Sequence, residues 1–276
     1  MNARRARLGK AAIVAFLGLV IIMQLTPFYV ALMTALKPKS DLSSRLSPPR
    51  GGVHWENFTT AIEQGHMVSS ILNSALVTLV TTLLVCVVGA LAAYPLARRN
   101  TVANKFVFLG VVGLIMVPPL SVLVPLYSLL NQIGGINTYW GVILVLANMQ
   151  LPLAIFLYAS FIRSLPLSIE EAAMVDGANL VQVLFRVVFP MLKPVTATVI
   201  ILKSVATWNE YALSGFLLTD PEKQTIAPAI GTFFSVQSSN LGAASAASLL
   251  AVMPILVVYL FLQKYFIKGM VAGSEK

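Results

Sequence analysis

Trp208-Asn209-Glu210-Tyr211, with Lys203 five residues before it, puts hydrogen-bonding and charged side chains inside a run that is otherwise apolar. A charge at the bilayer centre costs roughly 2.5 to 3.5 kcal/mol on insertion scales, so a lysine kept there needs a partner, water or a task. On a continuous helix Lys203 and Glu210 would share one face but stand about 10 Å apart along the axis, too far to pair directly. An aromatic ring beside amide and carboxylate groups suits a sugar, whose apolar faces stack and whose hydroxyls seek hydrogen bonds. Packing between helices is the competing reading of the same residues.

A second constellation is polar and lies between apolar runs: Glu171-Ala172-Ala173-Met174-Val175-Asp176-Gly177-Ala178, followed at position 190 by a proline, Pro190. Ser168-x-x-Glu171 fits a capping box, in which serine oxygen and glutamate carboxylate satisfy the free amides of a helix start. Gly177 supplies the residue most tolerant of the left-handed turn that ends a helix. These signals predict a short helix over residues 169–176, about 12 Å long. Asn179 is placed to cap a following helix that runs to Phe189 and is stopped by Pro190. Ala172 and Ala173 leave the first helix slim enough to enter a cleft of another protein. Glu171 either pairs there with a basic side chain or serves its own cap.

The elements that carry these groups follow from composition. With 58% hydrophobic and 11% charged residues in 276, the chain is too apolar for an ordinary soluble domain. Runs of about 20 apolar residues cross a bilayer as helices, and six are predicted: residues 11–36, 71–97, 106–130, 139–161, 195–218 and 243–266. With both termini cytoplasmic, thirteen basic residues flank the spans inside and five lie outside, which fixes the orientation. The net charge of +9 therefore points to anionic lipid headgroups and topology, not to nucleic acid. The basic N-terminus precedes an apolar run too long for a cleavable signal, so the first helix is expected to be retained. Prolines 118, 119, 125 and 152 fall within spans, whose freed carbonyls call for protein or water rather than lipid neighbours. The small residues 242–248 open the sixth span and permit close helix approach. Residues 37–70 form the longest outer loop, a membrane-resting segment or a docking edge. Cys86 is the only cysteine and His54 and His66 the only histidines, so no disulfide framework or metal signature is visible.

Catalytic patterns are missing. No G-x-x-x-x-G-K-[ST] phosphate loop occurs, so the chain is not expected to bind and hydrolyse ATP. Neither paired carboxylates nor a Ser/His/Asp arrangement is seen, which leaves an enzyme without a catalytic constellation.

The E-A-A-x-x-x-G-A stretch with its Val187-x-Phe189-Pro190 ending resembles the loop of binding-protein-dependent ABC importer permeases. Asn73-Ser74, Ala93-Tyr94-Pro95-Leu96-Ala97-Arg98, the segment Trp208-Asn209-Glu210-Tyr211 and the tail from Gln263 to Gly273 resemble the maltose-type carbohydrate group within that family. The resemblance implies an all-α integral membrane protein with six transmembrane helices and a cytoplasmic coupling helix, the type I ABC importer permease fold. It divides the chain into a first helix and outer loop (1–65), a permease core (66–266) and a cytoplasmic tail (267–276). It implies ATPase coupling through Glu171, Ala172, Ala173, Asp176, Gly177, Ala178 and Pro190, and a substrate pathway near Lys203, Trp208, Asn209, Glu210 and Tyr211. No cofactor is expected in this chain, ATP and Mg being bound by partner ATPase subunits. The other expected partners are a second permease subunit in a heterodimer, an extracytoplasmic solute-binding protein and membrane lipids. The expected setting is the cytoplasmic membrane of a prokaryote. An ion-coupled secondary transporter or channel remains the alternative, with Lys203 and Glu210 as its intramembrane candidates.

Overall fold

The computed structural model describes residues 2–38, 40–41, 43–50, 52–234 and 240–272. All regular structure in them is helical: α1 (Asn2–Ala35), α2 (Glu56–Gln64), α3 (Met67–Arg98), α4 (Val102–Leu114), α5 (Leu123–Gln132), α6 (Tyr139–Ser164) and α7 (Ser168–Val175). A short α8 (Leu180–Gln182), a π-helical turn (Val183–Val188) and α9 (Phe189–Met191) follow, then α10 (Lys193–Trp208), α11 (Ala212–Leu217), α12 (Ile226–Gly231) and α13 (Leu241–Ala272). The last four residues of the expected tail, 273–276, lie outside the described residues.

Among the described residues three helices are long and apolar enough to cross a membrane: Gly9–Ala35, Met67–Arg98 and Tyr139–Ser164. Counting each of two bent pairs as one span gives five. The expected third span over 106–130 is interrupted at its prolines: Val102–Leu114 and Pro119–Gln132 meet at 97°. The cause is Pro118-Pro119. Pro118 is extended (φ −64°, ψ 127°), as a residue before proline prefers to be, and Pro119 has no amide to continue the helix.

The fifth expected span, 195–218, also breaks. α10 ends at Trp208, and Asn209 turns out of the helix at φ −90°, ψ 4°. Lys203 and Glu210 therefore do not share a helix face. For the sixth, α13 runs to Ala272 with Pro254 inside it, and its described apolar stretch is Leu241–Val257.

The chain divides into two compact units. In the first (1–67 and 229–254), the Asn57 amide donates to the carbonyls of Ala35 and Lys37 at 2.9 and 2.7 Å, closing the C-terminus of α1. Gly242 lies so close to Asn57 that a Cβ there would come within 2.6 Å of it. The alanines 243, 244, 246 and 247 beyond it are fully buried, as the small-residue run predicts. The buried Lys37 ammonium donates to Ser43, Ser44 and Ser47, folding the segment after α1 on itself.

The second unit (68–228 and 255–276) is built on α3, α6 and α10. Two apolar clusters fill its described interior. One joins Val85, Ala154, Tyr158, Ile162, Val195 and Val199; the other joins Val77, Val142, Leu146, Leu213 and Leu217. The N-terminal ends of α3 and α6 are pinned to the segment before α12 by polar side chains. Asn73 donates to the carbonyls of Glu222 and Gln224 and accepts from the Tyr139 hydroxyl, while Ser74 accepts from the Ile226 amide at 2.7 Å.

Candidate functional site

The polar loop forms a helix one residue out of the expected register, Ser168–Val175. The predicted capping box is absent. Ser168 lies inside the first turn, and the amides of Ile169, Glu170 and Glu171 are taken by the carbonyls of Pro166 and Leu167. The chain enters α7 from a turn already helical at Leu167 (φ −65°, ψ −30°), so no amide waits for the serine oxygen. The other end is as expected. Gly177 sits at φ +89°, its amide donates to Met174, and the Ala178 amide donates to Ala173. This is the paired bonding of a glycine-terminated helix, and it satisfies carbonyls that would otherwise be stranded.

Asn179 starts the next helix with a reciprocal box: its side chain accepts from the Gln182 amide and the Gln182 side chain accepts from the Asn179 amide, both at 2.9 Å. Pro190, however, does not stop that helix. It lies within α9, and the chain turns by 70° only at Leu192, before α10. The π turn ahead of it explains the tolerance. The Phe189 amide reaches five residues back to Leu184, so the bonding register has already widened where the proline, lacking an amide, enters.

The two adjacent glutamates of α7 have opposite fates. Glu171 is exposed, and its carboxylate has no partner among the described residues, so it does not serve as a cap. Glu170 is 4% exposed. One of its oxygens accepts from Arg98 Nε at 2.7 Å and faces Arg98 Nη2 at 2.6 Å; the other accepts from the Tyr94 hydroxyl at 2.8 Å. Arg98 also donates to the carbonyl of Leu165, and Arg163 donates to the carbonyl of Leu96. Each arginine thus serves the C-terminal carbonyls of the other's helix. Sequence reading missed Glu170, whose signal was available: a doubled glutamate in the first turn of a surface helix turns one carboxylate inward.

The rest of the loop exposes apolar side chains among polar ones. Val175 is 87% exposed and Val181 63%, and Asp176, Ala172 and Gly177 are exposed beside them, with Ala173 and Ala178 half-buried.

Deeper in the second unit the two apolar clusters are separated by a polar layer. On α3, Thr81 and Thr82 stand between Val77 and Val85; on α6, Gln150 between Leu146 and Ala154; on α10, Lys203 and Thr207 beyond Val199. Gln150 donates to the Thr207 hydroxyl at 2.8 Å, and that hydroxyl donates to the Lys203 carbonyl at 2.9 Å. The Gln150 carbonyl oxygen and the hydroxyls of Thr81 and Thr82 are buried with no hydrogen-bond partner among the described residues. Lys203 is 5% exposed, and its ammonium has no described partner either. Unpaired groups of this kind cost free energy unless water, a ligand or another chain meets them.

Trp208, Asn209, Glu210 and Tyr211 form the turn at the C-terminal end of α10. Tyr211 is exposed, Trp208 half-buried, and the Asn209 amide donates to Val205. The Glu210 oxygens accept from the amides of Leu213 and Ser214 at 2.7 and 2.6 Å. That carboxylate holds the start of α11, and the competition of Asn209 and Glu210 for backbone groups explains why α10 ends here.

An all-helical membrane protein with a surface helix-turn-helix between two of its spans is the class that these observations define. The chain belongs to the family described as the binding-protein-dependent transport system inner membrane component, whose model matches residues 86–272 and so includes the whole loop. It is 40% identical over 275 residues, 99% of both chains, to the melibiose/raffinose/stachyose import permease protein of Bacillus subtilis. It is 32% identical to a diacetylchitobiose uptake system permease protein of Streptomyces coelicolor, covering 91% of this chain and 83% of that one. The fold matches a subunit of a bacterial ABC transporter involved in the import of the acidic polysaccharide alginate, at a TM-score of 0.76 and 19% identity over 96% and 99% of the two chains. The chain is thus a membrane-embedded permease component, a transport subunit and not an enzyme, and the ion-coupled alternative finds no support.

Proposed function

We propose that this chain is one permease subunit of an ATP-driven importer for a di- or oligosaccharide or a related polyol, working by alternating access in a prokaryotic cytoplasmic membrane. The observation that carries the coupling half of this reading is the exposed lip of the loop, with Val175 at 87% and the free Glu171 carboxylate beside it. An apolar edge that no lipid-spanning helix contains needs a protein to cover it. ATPase subunits, which would bind the ATP and Mg, dock there through Glu171, Ala172, Ala173, Asp176, Gly177 and Ala178, with Pro190 closing the segment. The substrate class rests on the sugars in the relatives' names and on the polar layer, with Lys203 in the pathway and Trp208, Asn209 and Tyr211 at its outer mouth. Glu210 contributes there by holding the turn.

In this reading both termini are cytoplasmic, six helices span, residues 66–266 form the permease core, and a second, different permease subunit and an extracytoplasmic solute-binding protein complete the assembly. Purification from native membranes, followed by uptake of a panel of sugars into proteoliposomes, tests it. Co-purifying ATPase subunits and ATP-dependent sugar uptake are expected; ATP-independent transport by the chain alone would refute it. Cysteines at Arg50 and Asp176, on a background without Cys86, check the orientation: an impermeant reagent should label only the former in sealed cells.

A further inference from the structure

We infer that the Arg98–Glu170–Tyr94 cluster is the joint through which movement of α7 is passed to α3, and that Glu170, not the free Glu171, is the residue positioning the loop on the helix bundle. This rests on the proposed coupling role of the loop.

The geometry singles out this cluster. Glu170 is the one residue of α7 whose side chain is fully buried, and both its oxygens are bonded to α3. Two guanidinium nitrogens of Arg98 converge on one carboxylate oxygen while the Tyr94 hydroxyl holds the other, so the carboxylate is fixed in direction as well as distance. Arg98 extends the connection to the Leu165 carbonyl at the end of α6, and Arg163 returns it to Leu96 while its guanidinium carbon sits 4.2 Å from the centre of the Phe108 ring on α4. The C-terminal ends of α3 and α6, the middle of α4, and α7 itself thus meet on one set of charges. A displacement of α7 cannot be absorbed there without breaking buried bonds.

α3 then offers a route inward. It is one continuous helix from Met67 to Arg98, and Thr82 of the polar layer lies sixteen residues from Arg98, about 24 Å at 1.5 Å per residue. A joint at its cytoplasmic end moves the polar layer with it, provided the helix behaves as a rigid element. Glu171, one residue further round α7, is left facing outward for a partner. The two glutamates divide the work: one grips the bundle and one faces the driver.

The test uses the complete complex in proteoliposomes and measures sugar transported per ATP hydrolysed, at equal amounts of assembled complex. Glu170→Gln and Arg98→Glu should each lower that ratio by about ten-fold, with ATPase subunits still bound. The double exchange Arg98→Glu with Glu170→Arg should restore much of it. Tyr94→Phe, which keeps the ion pair, should lower the ratio less and serves where the charge variants do not assemble. A cluster that only stabilises the fold would reduce the amount of complex and leave the ratio unchanged, and that result in Tyr94→Phe and Glu170→Gln would overturn the inference. A cysteine at Val175 that cross-links to an ATPase subunit in the otherwise unaltered complex is the control. If that cross-link fails, the coupling reading falls and this inference with it; if it forms while the ratio holds, only the joint is wrong.

Discussion

The loop around α7 and the turn after α10 each contain a glutamate bonded to the chain, and they use it differently. Glu210 bonds to Leu213 and Ser214, three and four residues further on. Glu170 bonds to Tyr94 and Arg98, more than seventy residues away in sequence. The first arrangement shapes a turn and is complete in itself. The second ties a surface helix to a membrane helix, so force applied to one is felt by the other. A carboxylate's distance in sequence from its donors therefore separates a local cap from a mechanical connection.

The largest effect that would break this comparison is at Gly177. Its φ of +89° is closed to proline, whose ring holds φ near −65° and which has no amide for Met174. Gly177→Pro should abolish ATP-driven uptake while the subunit still reaches the membrane, as checked by fractionation beside transport. Next come the two carboxylates. Glu170→Ala leaves Arg98 without its counter-charge in a mostly buried site and should cost on the order of 3 kcal/mol of stability, whereas Glu210→Ala removes a cap and should cost about 1 kcal/mol. Thermal unfolding of the purified complex measures both, and equal losses would erase the distinction. Lys203→Met sharpens the comparison from the interior. Removing an unpartnered buried charge should leave stability unchanged or raised while altering the sugars taken up, read as uptake per assembled complex. The smallest effect is expected at Asn179→Ala, roughly 0.5 to 1 kcal/mol from the lost box with Gln182, visible as a small fall in melting temperature with coupling retained.

Much of this was readable in the residues. The Gly177 end and the Asn179 start obey local rules, since each depends on one residue type and its nearest amides. The apolar runs marked the helices because length and hydropathy survive any arrangement of neighbours. What failed depended on which bonds the chain prefers when several are open. Ser168-x-x-Glu171 had the spacing of a cap, yet the turn at Leu167 had already supplied the carbonyls. Pro190 reads as a stop until the π turn before it is known. The run 195–218 is apolar enough to span, but Asn209 and Glu210 take backbone partners of their own and end the helix. Glu170 needed a third dimension: Arg98 and Tyr94 are close to it only because α3 and α6 run side by side.

If the outward edge of α7 meets an ATPase subunit, Val175 lies within cross-linking reach of it. A photoreactive group on a cysteine at Val175, in the complex purified from its own membranes, should join this chain to the ATPase subunit, and a group at Arg50 should not. Capture of the ATPase subunit from Arg50 and not from Val175, or of lipid alone from Val175, would show that α7 is not the docking edge.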